Sequence, residues 1–341
     1  MAADIWFGAI ITGLVLYVVL DGNDLGLGIL ALGLRDDTRR RDLQQLVASV
    51  WDGNESWILL IAVGLWGGFP AVTGGLLPAV YPVLIVMLWA LIARGVSIEM
   101  ISGASGWPRW WGRLFMGGSL VAAFAQGVAI GAVVQGVSLG PGGRFTGGTF
   151  GFLTGFTVAC GLATIVLYSV AGAALITMRS PDAGLRAVAA RQGRRLVLVL
   201  VALAALVGGL IPVAGAPAPD AGHPLRIALL TWACVIAAVM AFLTWWSLGR
   251  DRHPAMAFTA VAVAEIAGVG GLLALYYPMI LPPSLSIARA ASPASSLDFL
   301  IGGFGMLIPI TIAYNAYAFW VLRPRRQRAA DPGLAPTGAH Q

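Results

Sequence analysis

Two polar stretches set into apolar sequence decide how this chain folds. LDGNDLG at positions 20–26 follows the apolar run at 5–19, and WDGNESW at positions 51–57 precedes the apolar run at 58–66. Each run, taken with its polar stretch, approaches the roughly 20 residues that a helix needs to cross a membrane. Carboxylates within membrane spans are costly and usually functional, so both stretches point to proton or ion handling.

The acidic residues of these stretches form two pairs. Asp21 and Asp24 are three residues apart, as are Asp52 and Glu55, so on a helix each pair shares one face. Because neighbouring carboxylates repel each other, we expect one of each pair to be protonated near neutral pH or to face water. A proton relay needs such a group. The alternative is structural: the acids cap helices or pair with nearby arginines, and Asp52 stands where a helix cap would.

The composition identifies an integral membrane protein. Of 341 residues, 58% are hydrophobic and 11% are charged, whereas a soluble domain has roughly 25% charged residues. We predict an all-α fold of about nine transmembrane helices in a single domain, 1–322, followed by a disordered cytoplasmic tail, 323–341. The predicted spans are 5–34, 50–69, 76–98, 114–137, 150–177, 196–213, 227–246, 257–277 and 299–322.

The positive charge predicts membrane orientation rather than nucleic-acid binding. All 21 basic residues are arginines; 18 of them fall on one side of the predicted spans, and only Arg144, Arg226 and Arg289 fall on the other. The positive-inside rule then places the N-terminus outside and the tail in the cytoplasm.

Four further residues are candidates for function. Arg94 and Glu99 are too far apart for a good pair on one helix, so we expect each to find a partner on another helix, unless Arg94 extends to the membrane interface. Glu265 stands alone in the eighth span and is either functional or protonated and hydrogen-bonded to a neighbouring helix. Trp57, just beyond Glu55, is typical of an interfacial belt or of packing.

The spans offer no evident site for haem or metal. His223, His253 and His340 fall in predicted loops and in the tail, and Cys160 and Cys234 lie in apolar segments without metal-ligand spacing, as inert core residues would. Haem in a helical bundle is normally held by His, Met or Cys on facing helices. We therefore expect this chain to bind neither.

Five sequence blocks together carry a family resemblance. They are DGNDLGLG at 21–28, WDGNESW at 51–57, RGVSIE at 94–99, YPMILPPS at 277–284 and ASP at 291–293. In this order they resemble subunit II of a cytochrome bd-type quinol oxidase, including the cyanide-insensitive branch of that family. The resemblance extends to Tyr314 and Tyr317 in the ninth span.

The resemblance implies a terminal oxidase of the bacterial cytoplasmic membrane, which takes electrons from quinol and reduces oxygen to water. It implies nine helices, arranged as two four-helix bundles and one peripheral helix. The expected partners are a homologous subunit I and small single-helix accessory subunits, all within membrane lipid. Two haems b and a haem d or further haem b would reside in subunit I, while subunit II would serve as scaffold and could hold a structural quinone.

The resemblance also implies roles for single residues. Asp52 matches the aspartate of a cytoplasmic proton channel, and Asp21 and Asp24 match the acidic pair of the first span. We assign Glu55 and Glu99 to the same proton pathway and keep Glu265 as a possible additional buried acid. Trp57 matches a tryptophan near the mouth of an oxygen tunnel. No catalytic residue and no metal ligand is expected in this chain.

Two other classes of protein remain compatible with the acidic pairs. A proton-coupled secondary transporter also uses paired intramembrane carboxylates, often beside discontinuous helices. A scaffold for ion translocation or assembly, without an oxidase partner, would need none of the five blocks. Co-purification of a haem-bearing subunit would distinguish these classes.

Overall fold

The computed structural model describes residues 1–48, 50–102, 109–219, 222–250 and 254–321. The predicted tail at 323–341 and the histidines His253 and His340 lie outside the described residues. The elements in chain order are α1 (Ala2–Ala31), α2 (Asp37–Ala48), α3 (Trp51–Gly68), α4 (Pro70–Ser102), α5 (Arg109–Gln135), a short 3-10 helix (Pro141–Gly143), α6 (Gly155–Arg179), α7 (Ala183–Ala214), α8 (Pro224–Ser247), α9 (Pro254–Tyr276), β1 (Met279–Leu281), β2 (Leu285–Ser286), α10 (Ile287–Ala290) and α11 (Ala294–Val321).

Of the described helices, 8 are individually long and apolar enough to cross a membrane, and the number becomes 9 if α2 and α3 together count as one span. The prediction of an all-α membrane protein with about nine spans is therefore confirmed. The helices pack as two groups of four. Helices α1, α3, α4 and α5 form the first bundle, α6 to α9 form the second, and α11 lies against α1 and α3 at the edge of the first.

The two bundles meet where α6 packs against α1 and α5. The contact with α1 is close because it is lined by glycines: a Cβ at Gly26 would overlap the backbone carbonyl of Tyr168, and one at Gly22 would lie 2.6 Å from the Tyr168 ring. Lipid gives helices no hydrophobic reason to associate, so small residues that let backbones approach are the usual way to hold spans together.

Several helices differ in extent from the predicted spans, and helix capping explains two of the differences. Helix α6 begins at Gly155 rather than at 150, because the Thr154 side chain caps it. Helix α7 begins at Ala183 rather than at 196, because the Asp182 carboxylate accepts a hydrogen bond from the backbone N–H of Gly184 at 2.7 Å. The arginines from 186 to 195 therefore lie on a helix rather than in a connection.

Two regions contain structure that the sequence did not reveal. The arginine-rich segment between the predicted spans 5–34 and 50–69 forms α2, which buries Leu43, Gln44 and Val47 on one face. The segment between α9 and α11 contains a hairpin of β1 and β2, in which Leu281 is fully buried. Both regions are short and polar or proline-rich, so hydropathy alone gave no signal for them.

Candidate functional site: a buried charge cluster

A single arginine lies at the centre of the first bundle. Arg94 of α4 has no exposed side-chain surface, and its Nη1 donates hydrogen bonds to Asp21 Oδ1 at 2.9 Å and to Glu55 Oε1 at 2.8 Å. Arg94 was expected to have a partner on another helix, and it has two, Asp21 on α1 and Glu55 on α3. Its side chain does not extend to the membrane interface. One guanidinium nitrogen joins α1, α3 and α4.

The second acid of α1 binds to α3 in a different way. Asp24 is buried, and its Oδ2 accepts a hydrogen bond from Nδ2 of Asn54 at 2.7 Å. Asp21 and Asp24 thus share a face, as their spacing predicted, but Asp21 faces a cation whereas Asp24 faces a neutral amide.

Helix α2 holds the turn of α4 that carries Arg94. The Ser97 hydroxyl donates to the backbone carbonyl of Arg94 at 2.6 Å, and Nε2 of Gln44 donates to the backbone carbonyl of Ser97 at 3.1 Å. All three side chains are buried. Because α2 lies between two predicted spans and has no hydropathy signal, Gln44 could not be identified as part of this arrangement.

The charges of the cluster do not balance. Arg94 is one cation facing three carboxyl groups, those of Asp21, Asp24 and Glu55, so full ionisation would leave two negative charges in excess. Within the described part of the chain, Asp21 Oδ2 and the Nε and Nη2 atoms of Arg94 have no hydrogen-bond partner. Burying uncompensated charge is strongly unfavourable. The arrangement is therefore suited to holding a proton on one carboxyl group and passing it to another.

The cluster opens to solvent through α3. The Glu55 side chain is 21% exposed, and Asp52, one turn earlier, is exposed. The predicted pair of Asp52 and Glu55 is thus split between the surface and the cluster. Val50 occupies the N-cap position of α3, without a capping side chain, so Asp52 does not cap this helix.

Glu99 lies near the same opening. It is exposed toward the end of α4, one turn beyond Gly95, where a Cβ would lie 3.0 Å from the Trp51 ring at the start of α3. Among the described residues, Glu99 forms no ion pair, so the partner expected for it is not found there.

A second polar network lies beside the cluster and was missed in the sequence. Nε2 of Gln126 donates to the Tyr17 hydroxyl at 2.7 Å, and the Tyr168 hydroxyl donates to Oε1 of Gln126 at 2.9 Å. Tyr17 precedes Asp21 by one turn of α1, which places the network next to the cluster. A glutamine in an otherwise apolar span was the available signal, but only the fold shows which hydroxyls it meets.

Two other predicted residues lie elsewhere in the bundles. Glu265 is 4% exposed on α9, and neither of its carboxylate oxygens has a hydrogen-bond partner among the described residues, so the expected bond to a neighbouring helix is not found there. Trp57 is 1% exposed and packs with Tyr17 and with Ile308 of α11, which is packing rather than an interfacial belt.

The remaining polar candidates form no metal centre in the described part of the chain, where no group of three or more His, Cys, Asp or Glu side chains could hold a metal ion. His223 is the N-cap residue of α8. Cys160 is half-buried, but Cys234 is exposed on α8, so its prediction as a core residue was wrong. The outward faces of membrane helices are as apolar as their cores, so hydropathy does not tell them apart.

Comparison with known proteins adds an independent observation. The profile of the family described as cytochrome bd terminal oxidase subunit II matches residues 2–322. The cytochrome bd-I ubiquinol oxidase subunit 2 of Escherichia coli K12 is 26% identical, with 93% of this chain and 93% of that protein covered. The cytochrome bd ubiquinol oxidase subunit 2 of Bacillus subtilis is 23% identical, with 94% and 96% covered.

One solved structure shows the same fold. The bd oxidase from Geobacillus thermodenitrificans matches with a TM-score of 0.77 and 18% sequence identity, with 94% of this chain and 98% of the matched chain covered.

Proposed function

Because the chain belongs to the cytochrome bd terminal oxidase subunit II family, we propose that it works with a haem-bearing subunit I in a bacterial inner-membrane complex that oxidises quinol and reduces oxygen to water. The names of its Escherichia coli and Bacillus subtilis relatives, both ubiquinol oxidase subunits, support this activity. The haems would reside in subunit I, so this chain contributes scaffold and proton supply rather than redox chemistry.

The buried cluster around Arg94 is the observation that carries the proposed proton route. Exposure falls in steps along it: Asp52 is exposed, Glu55 is 21% exposed, and Asp21 and Asp24 are buried. A proton taken from water at Asp52 would pass to Glu55 and then to Asp21, which shares Arg94 Nη1 with Glu55. Asp24, hydrogen-bonded to Asn54, would be the next acceptor.

Arg94 offsets the charge of one ionised carboxylate along this route. Its guanidinium stays protonated at any physiological pH, so it stabilises an ionised carboxylate on either Asp21 or Glu55 while the other carries the proton. Glu99 extends the mouth of the route, as a second exposed acid close to the start of α3. Because that mouth lies at the arginine-rich end of the bundle, it would open to the cytoplasm.

An oxygen route through this subunit would pass Trp57. That side chain is enclosed by Tyr17 and Ile308 where α1, α3 and α11 meet, which is an apolar contact between spans. Oxygen partitions into hydrocarbon and carries no charge, so its passage would depend on side-chain volume at this point.

Substitution of single carboxyl groups tests the proton route. We expect Glu55→Gln to lower oxygen-reduction turnover by about 100-fold, because an amide cannot lose and regain a proton. Asp52→Asn should lower turnover less, since water can reach Glu55 directly. The matched control is Asp42→Asn, which removes an exposed carboxyl group from α2 outside the route.

Each variant is purified with subunit I, its haem content is measured, and turnover is recorded from pH 6 to 8. The proposal fails if Glu55→Gln carries normal haem and keeps wild-type turnover throughout. Expression of this chain alone provides a second check, since it should show no haem absorbance and no quinol oxidation.

A further inference from the structure

A basic cavity lies at the end of the first bundle that carries the arginines. It has a volume of about 290 Å³ and lies between the end of α1, the start of α2 and the start of α5. Its lining residues are Arg35, Asp37, Arg40, Arg109, Arg113 and Met116. Four cations face one carboxylate, which leaves an excess of positive charge concentrated in one concave site.

One of these arginines is already fully engaged by the protein. Arg40 donates to the backbone carbonyls of Ala31 and Leu34 and, through Nη1, to Asp37 Oδ1 at 2.9 Å. It therefore closes the C-terminal end of α1 and neutralises Asp37. This pair lines the cavity but is already engaged in internal bonds.

The positive charges of the other three arginines are not neutralised by a close ion pair with any described residue. Arg35 and Arg113 are exposed and form no hydrogen bond or ion pair with any residue that the structure describes. Arg109 is 83% exposed, and its Nε lies 3.9 Å from Asp37 Oδ2, a weak contact with a carboxylate that Arg40 already binds. Arg35 and Arg113, which have no partner among the described residues, and the weakly paired Arg109 together attract an anion, and guanidinium geometry matches phosphate.

The position of the cavity indicates where that phosphate comes from. Trp110 and Trp111 follow Arg109 with their rings stacked 3.6 Å apart, and tryptophan is enriched at the level of the lipid headgroups. Leu32 and Trp110 are close in sequence to the lining residues Arg35 and Arg109, and both are about half exposed, so apolar surface is available in the same region. An anion with acyl chains would use both the arginines and this surface.

We propose that this cavity binds the phosphate group of an anionic membrane lipid. Arg35, Arg109 and Arg113 would contact the phosphate oxygens, and the acyl chains would lie along the neighbouring apolar surface. Basic pockets between transmembrane helices bind lipid headgroups in this way. A zwitterionic lipid would bind more weakly, because its own cation is repelled by the same arginines.

Native mass spectrometry of the complete oxidase, delipidated and then titrated with phosphatidylglycerol or phosphatidylcholine, tests the proposal. Arg113→Gln should weaken phosphatidylglycerol binding about fivefold, the effect of one arginine near a membrane surface. Arg113→Lys keeps the charge and should retain most of the binding. The control is Arg191→Gln, an exposed arginine of α7 outside the cavity, which forms no ion pair within the described residues and should change nothing.

The proposal is wrong if wild type and Arg113→Gln bind phosphatidylglycerol equally well, or if Arg191→Gln weakens phosphatidylglycerol binding as much as Arg113→Gln does. It is also wrong if the wild type binds phosphatidylcholine as tightly as phosphatidylglycerol. Inorganic phosphate is added as a competitor at the concentration of the lipid. If it displaces the lipid completely, the site serves free phosphate and the assignment to a lipid is wrong. Haem content, measured on every sample, shows that each variant has assembled.

Discussion

Replacement of Arg94 by methionine should destabilise the oxidase complex more than any other single change in the cluster. Methionine fills a similar apolar volume but leaves Asp21 without its cation in a fully buried position. Removing one partner of a buried ion pair costs about 3–5 kcal/mol. Glu55 adds little to this sum, because its side chain is 21% exposed and water can solvate it.

Two companion variants test the reasoning. In the Arg94→Met background, Asp21→Asn replaces the unpaired carboxylate by a neutral amide. Burying that amide without a hydrogen-bond partner costs about 1–3 kcal/mol. The double variant should therefore regain about 2 kcal/mol of stability over Arg94→Met alone. Arg94→Lys should remain close to wild type, since only Nη1 of Arg94 binds acids and one ammonium group has three donors.

Thermal unfolding of the purified complex, followed by loss of the haem absorbance, measures these differences. Arg191→Met is the control, since it removes an exposed arginine with no ion pair among the described residues. The reasoning is refuted if Arg94→Met unfolds at the wild-type temperature, or if Arg94→Lys is as damaging as Arg94→Met. An Arg94→Met/Asp21→Asn variant that is less stable than Arg94→Met would also refute it.

Three further changes have defined outcomes. Trp57→Ala should cost about 3–5 kcal/mol of thermal stability and improve the apparent oxygen affinity; a stability loss with unchanged oxygen kinetics would make Trp57 packing alone. Glu265→Leu should raise thermal stability by about 1–3 kcal/mol, because it removes a buried carboxyl group that has no hydrogen-bond partner among the described residues. Normal assembly with reduced turnover would instead place Glu265 in the proton route. The pKa of Asp182 lies below its usual range, mainly because the backbone N–H groups of Leu185 and Gly184 and then the guanidinium of Arg39 bind its carboxylate. The ionised Asp182 carboxylate therefore stabilises the fold fully above about pH 4, and this stabilisation is lost as pH falls through the lower pKa of the folded state. Asp182→Ala should therefore lower the melting temperature at pH 7, with a difference from wild type that shrinks below about pH 4; a constant difference would contradict this.

The sequence predicted about nine apolar helices correctly because the membrane imposes their length and apolarity. It missed two polar helical segments: the arginines from 186 to 195 lie on α7 although they fall between the predicted spans 150–177 and 196–213, and α2 falls between the spans 5–34 and 50–69. Both errors have one cause. A helix that leaves the hydrocarbon region continues in water without any change of backbone, whereas hydropathy records only the change of solvent.

The acidic residues of the candidate site could be predicted from the sequence, but their hydrogen-bond and ion-pair partners could not. Spacing correctly placed Asp21 and Asp24 on one face, yet it could not show that Arg94 binds Asp21 and Glu55 while Asp24 binds Asn54. Those choices depend on the rotation of three helices about their axes, and rotation is set by tertiary packing.

The rotation of α1 is set by the same short block that supplies its acids. Gly22 and Gly26 are four residues apart and face α6, where any Cβ would collide with Tyr168. Asp21 immediately precedes Gly22, and successive residues of a helix are about 100° apart. When Gly22 and Gly26 pack against α6, Asp21 therefore points toward α4 and Arg94. A larger residue at Gly26 would displace α6 and, through the rotation of α1, weaken the ion pair without touching any charged atom.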